Sequence, residues 1–119
     1  MDIAIERERL ARVFTELCEL SSPSRQEKNV LEYLKKTFAD LGAETIYEDN
    51  SAEVTGAECG NLFVRFNGTT DAKPIFLACH MDTVNPGENV KVKREGDIFT
   101  SVGETILGGD DKSGIAPLI

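Results

Sequence analysis

The chain's single histidine, His80, stands two residues before a carboxylate, Asp82. An apolar run from Ile75 to Cys79 leads into them and predicts a buried strand. Side chains two apart on an extended strand share a face. His80 and Asp82 are therefore expected side by side. A neutral imidazole binds a metal through one ring nitrogen while a neighbour holds the other N–H. Asp82 fits as that neighbour, or as a ligand itself. The plain alternative is a hydrogen-bonded structural histidine at a strand end. Thirty residues on, Leu107-Gly108-Gly109-Asp110-Asp111-Lys112-Ser113-Gly114 supplies adjacent carboxylates behind two glycines. It could be an ordinary surface turn with a capping aspartate. Equally, the glycines let the backbone turn sharply enough to bring one carboxylate to a metal. A carboxylate can bridge two cations at the spacing used by hydrolytic two-metal sites, which makes Asp110 or Asp111 a partner for His80.

Two amphipathic helices precede these stretches. Leu10, Val13, Phe14, Leu17 and Leu20 recur at helical spacing across residues 4–20. Ser21-Ser22-Pro23 ends that helix. Ser24 with Glu27 reads as a capping box for a second helix, with a stripe of Val30, Leu31, Leu34, Phe38 and Leu41. Gly42 stops it. Strands are expected at 43–49 and 61–66 with a loop over 51–60 between them. Asn67-Gly68 is a turn signal, and 74–82 is the central strand. Val90–Lys93 and Ile98–Ser101 alternate around Gly96-Asp97 and predict a hairpin. A further helix starts near Ser113. This order predicts an α/β fold: a layered sheet with flanking helices.

At 119 residues the chain fits one domain. A formal net charge of −8 disfavours nucleic acid and anionic membranes as partners. No apolar run is long enough for a membrane span. The stretch from Met1 to Glu6 lacks the features of a secretory signal, which predicts a cytoplasmic protein. Three cysteines without C-x-x-C spacing argue against a disulfide framework or zinc ribbon. Cys18, Cys59 and Cys79 read as buried or half-buried thiols in a reducing compartment, with Cys79 facing away from His80.

Taken together, Ser21-Ser22-Pro23-Ser24, Gly60-Asn61-Leu62, His80-Met81-Asp82-Thr83 and Leu107 to Ala116 resemble the co-catalytic zinc aminopeptidases of the peptidase T type. Their superfamily also holds carboxypeptidase G and the aminoacylases. The resemblance implies that residues 1–119 are the N-terminal portion of a metallopeptidase catalytic domain, without its lid domain and C-terminal half. It implies a small peptide substrate, with removal of the N-terminal residue from tripeptides, and Zn2+ as cofactor, two ions per complete site. His80 would ligate one ion, and Asp110 would bridge both. Asp82, in the catalytic set, would orient the His80 ring. A cis peptide would join Asp110 to Asp111, and Asp111, Lys112 and Gly114 would shape the turn. The second histidine and the paired glutamates of such sites have no counterpart here, so the chain alone is expected to be inert. Pro117, early in the last helix, departs from the pattern. The alternatives are a carboxypeptidase or deacylase of the same superfamily, or a truncated binding or regulatory module. Oligomeric state is left open.

Overall fold

A computed structural model describes residues 4–119. Part of the N-terminal stretch considered above, residues 1–3, lies outside them. The elements run α1 (Arg7–Glu19), α2 (Lys28–Asp40), β1 (Thr45–Glu48), α3 (Ala52–Thr55), β2 (Leu62–Arg65), β3 (Val92–Glu95), β4 (Ile98–Ser101) and α4 (Gly109–Ile115), closed by a 3-10 turn at Ala116–Leu118. This is the expected α/β class, although the described strands form two antiparallel pairs, β1–β2 and β3–β4.

The core follows from the helical stripes. Val13 and Leu17 of α1 meet Val30, Leu34 and Phe38 of α2, and Ile115 and Ala116 close the cluster. Ile46, Leu62 and Val64 pack on it from the first strand pair. Removing these apolar surfaces from water drives their assembly. The outer members of each stripe stay wetter: Leu10 and Leu41 are exposed. Gly42 ends α2 in the left-handed region (φ +84°), its N–H donating to Ala39 O at 3.0 Å. The second strand pair is the expected hairpin, with Glu95 opposite Ile98 across Gly96-Asp97. Arg94 ties it to α1 by a two-pronged contact with Glu8, at 2.7 and 2.8 Å.

Three expectations are corrected. The loop at 51–60 holds the short helix α3. The stretch 74–82 is not a strand. No described strand runs alongside it, and strand structure requires a partner's backbone groups. Ile75 and Phe76 are accordingly 85% and 79% exposed. Ser24 does not cap α2, which begins at Lys28 with no side-chain cap. Only the Glu27 arm bends back, accepting from Arg25 N–H at 2.6 Å, because the Ser24 hydroxyl is engaged elsewhere. Among the described residues no helix is long and apolar enough to cross a membrane.

Candidate metal centre

His80 and Asp82 enter the site from a segment without strand pairing, so something else must hold it. The 21–24 loop does. Ser22, wholly buried, donates through Oγ to Met81 O at 2.9 Å, and Thr83 N–H donates to Ser22 O at 2.8 Å. Pro23 and Thr83 form an isolated parallel bridge. These bonds flank Asp82 on both sides and replace the missing strand ladder.

Asp110 comes from the other stretch. Gly108 adopts φ +82°, a conformation that glycine enters without steric penalty. An added Cβ there would also lie 3.3 Å from the Thr83 methyl, so the turn closes against the His80 segment. Asp110 and Asp111 have non-helical backbone angles and are joined by a cis peptide; regular helix starts only after them, as expected near Ser113. Pro117 falls at the start of the 3-10 turn, where its missing N–H costs no intrahelical bond.

The side chains converge. His80 Nδ1–H donates to Asp82 Oδ1 at 3.0 Å and to the Asp82 main-chain oxygen at 2.9 Å. On the other side of the ring, His80 Nε2 lies 3.0 Å from Asp110 Oδ1. Both contacts raise the imidazole above its usual range, Asp110 first and Asp82 second. Asp82 is held low, chiefly by the hydroxyl of Ser24 on Oδ2 and then by His80. With Ile106, Leu107 and the glycines, His80, Asp82 and Asp110 line an open pocket of about 290 Å³. The adjacent aspartate plays a different part. Asp111 turns back over Gly114, where any Cβ would meet its Oδ1 at 2.3 Å.

The donor set fits a divalent cation. One imidazole nitrogen and one carboxylate oxygen face each other, and a second carboxylate holds the far nitrogen, the arrangement common to metal-ligating histidines. Two ligands on a tetrahedral zinc lie about 3.3 Å apart, close to the 3.0 Å between His80 Nε2 and Asp110 Oδ1. The set is a pair: among the described residues no group of three or more His, Cys, Asp or Glu is placed to hold a metal ion.

The contact of Ser24 with Asp82 escapes the sequence reading, in which Ser24 caps a helix. Lys112, expected to shape the turn, is wholly buried and donates to Leu17 O at 2.8 Å and Leu20 O at 3.2 Å. Burial pushes its ammonium down to about 8. Cys79, expected to be buried or half-buried, is exposed. Its thiol is pushed up by partial desolvation and then by the Asp111 carboxylate.

No protein-family model matches the chain. It is 38% identical over 114 residues to the uncharacterized protein YqjE of Bacillus subtilis, spanning 96% of this chain and 30% of that protein. Among solved structures it is similar to the aminopeptidase PepT of Bacillus cereus, with 40% identity and a TM-score of 0.90. It is also similar to a tripeptidase of Staphylococcus aureus, with 36% identity and a TM-score of 0.89. Each match covers 96% of this chain and 31% of the solved one. The chain therefore spans about a third of the length of the relatives it matches, and its α/β fold is that of the corresponding part of the two peptidase structures.

Proposed function

We propose that residues 1–119 form the N-terminal portion of a dinuclear zinc aminopeptidase domain acting on small peptides, with tripeptides as the preferred substrate. The observation that carries this reading is the approach of His80 Nε2 to Asp110 Oδ1 at 3.0 Å, with Asp82 on the opposite ring nitrogen. The similarity to an aminopeptidase and a tripeptidase supports it.

Zinc, when bound, would polarise the scissile carbonyl and acidify water for attack. This chain's residues would prepare its seat. Asp82 holds the proton on Nδ1, so that with an ion present Nε2 would offer its lone pair to that ion on the side facing Asp110. Asp110, its side chain 94% exposed, hydrogen-bonds only His80 among the described residues. Its second carboxylate oxygen is thus available to a neighbouring cation, as a bridging role requires. Gly108 lets the turn close against the His80 segment, since a Cβ there would lie 3.3 Å from the Thr83 methyl. A catalytic zinc takes three protein ligands plus water, and a two-ion site needs a general base as well. His80 and Asp110 supply two ligands. The rest would come from a longer polypeptide of the same cytoplasmic protein, so the 119-residue chain alone would not hydrolyse peptides.

A polypeptide that carries this segment and the missing ligands should release the N-terminal residue of a tripeptide. Chelation and His80→Ala should each abolish that release. Cleavage that survives both, or zinc-dependent cleavage by residues 1–119 alone, would overturn the reading. A second reading, a non-catalytic binding module, is favoured by the absence of a third metal-capable residue beside the pair among the described residues. Tripeptide release by the longer polypeptide would exclude it.

A further inference from the structure

We propose that Ser24 is a positioning residue for the His80 site: its hydroxyl fixes the Asp82 carboxylate, and through it the rotation of the His80 ring toward Asp110. The proposal rests on the metal-site reading above and extends it to a residue 56 positions before the histidine.

The geometry forms one continuous line. Ser24 Oγ–H donates to Asp82 Oδ2. Asp82 Oδ1 accepts from His80 Nδ1–H at 3.0 Å, and Nε2 faces Asp110 Oδ1 at 3.0 Å. The Asp82 main-chain oxygen also accepts from Nδ1–H, at 2.9 Å, so the carboxylate shares the hold on the ring, and what Ser24 adds is the orientation of that carboxylate. The His80 side chain is half exposed, and no strand ladder holds its segment. A carboxylate bound through one oxygen can still turn about its terminal torsion, which is broad and nearly two-fold. Engaging Oδ2 as well removes that freedom. Ser24 is itself anchored, because its loop is tied to the His80 segment through Ser22 with Met81 and Thr83, and through Ser21 Oγ, which accepts from Asn89 N–H at 2.9 Å.

A purely structural role is poorly served by this hydroxyl. It caps no helix, since α2 begins at Lys28 without a side-chain cap, and Ser24 is exposed. Truncating it should therefore cost little stability while releasing Asp82. Partners directly behind a ligand, as Asp82 stands behind His80, tune metal affinity by about 10–100-fold; Ser24 acts one step further out, which places its effect at the lower end of that range.

The test uses the full 119-residue chain. His80 is the single histidine, so long-range nitrogen NMR of the imidazole reads one ring without assignment. At alkaline pH, where the ring is neutral, the metal-free chain should show predominantly the Nδ1–H tautomer. Ser24→Ala should raise the Nε2–H fraction above that of the parent, the Asp82 main-chain oxygen still holding part of the Nδ1–H form, and lower zinc affinity about tenfold, with an unchanged urea midpoint. Ser24→Thr, which keeps the hydroxyl, should restore both readouts. The proposal is overturned if Ser24→Ala keeps the tautomer and affinity of the parent, if Ser24→Thr fails to restore them, or if they change only together with the urea midpoint. If the parent binds no zinc, His80 and Asp110 do not hold the ion without the remaining ligands, while the tautomer comparison still decides whether Ser24 orients the ring.

Discussion

Lys112 Nζ lies 2.8 Å from the carbonyl oxygen of Leu17, with no part of the lysine exposed. The last turn of a helix leaves carbonyls without i+4 partners; Leu17 O takes the Leu20 N–H at 3.2 Å and, from 95 residues away, this lysine as a second donor. The same side chain reaches Leu20 O at 3.2 Å. It thereby joins the end of α1 to the turn that carries Asp110 and Asp111. Lys112→Met keeps most of the buried stem but removes the donor. The variant leaves Leu20 O without this donor and Leu17 O with the Leu20 N–H alone; losing hydrogen bonds from a charged donor costs about 1–3 kcal/mol, so it should unfold at lower urea than the parent. A Lys112→Met chain as stable as the parent would mean that shedding the buried charge offsets the lost bonds.

A second junction depends on the absence of a side chain. A Cβ on Gly60 would lie 2.1 Å from the main-chain oxygen of Asp49 and 2.6 Å from its Oδ1. That oxygen accepts from Asn61 N–H at 2.8 Å and from Ser51 N–H at 3.1 Å, so neither contact can shift without loosening the junction of β1 and β2. Gly60→Ala should destabilise by about 1–3 kcal/mol, the usual cost of overpacking. Gly68→Ala is the matched control. Its nearest neighbour would be Thr70 O at 3.8 Å, and removing a glycine from an unstrained position stabilises by about 0.4–1 kcal/mol. Thermal melts of the two variants should move in opposite directions.

These junctions show where a sequence carries its fold and where it does not. The stripe of Val30, Leu31, Leu34 and Phe38 is legible because helical periodicity is local, and all four are buried. The β3–β4 hairpin is legible through its Gly96-Asp97 turn, and His80 beside Asp82 through a spacing of two. Ser24 is not legible. Its hydroxyl suits a helix cap three residues from Glu27 as well as a carboxylate 58 residues away, and no local pattern chooses between them. Lys112 misleads for the same reason: a lysine reads as surface until α1's carbonyls are placed around it. The run Ile75–Cys79 reads as a strand from composition, but a strand is completed by a neighbour's backbone, which composition does not contain.

Tyr33 gives the stability a defined alkaline limit. Its hydroxyl donates to Glu16 Oε2 at 2.7 Å. Burial first, and the Glu16 carboxylate second, push the phenol up to about 12, against about 10 in an unfolded chain. The folded chain holds the proton where the unfolded chain loses it. The contribution is therefore fully present below pH ~10 and is lost as pH rises through the folded value. Urea midpoints should fall across that window, and Tyr33→Phe should flatten the fall. A midpoint that declines equally in Tyr33→Phe would assign the alkaline limit to other groups.

The cysteines should separate by reactivity. Cys18 and Cys59 are buried, and Cys79 is exposed. Burial pushes the Cys18 thiol up to about 11 and also raises Cys59. The thiolate is the reactive form, so access and ionisation both protect these two. Iodoacetamide should modify one thiol quickly and the other two only on unfolding. Cys79→Ser should remove the fast phase. A fast phase that persists would place the accessible thiol at Cys18 or Cys59 and contradict their packing.

The site itself predicts a graded order of metal loss. His80 and Asp110 face each other directly, Asp82 acts through the ring, and Asp111 is turned back over Gly114. His80→Ala or Asp110→Ala should abolish zinc binding by the chain in a calorimetric titration. Asp82→Asn retains a group of similar shape but loses the charge that holds Nδ1–H, and should weaken binding about 10–100-fold. Asp111→Asn should leave zinc affinity near that of the parent, although Cys79 loses the carboxylate that helps hold its thiol protonated and should alkylate faster. The contrast between neighbouring aspartates is the decisive part. If Asp111→Asn abolishes binding and Asp110→Ala does not, the ligand is the second of the pair, and the 3.0 Å contact between His80 and Asp110 has no part in holding the ion.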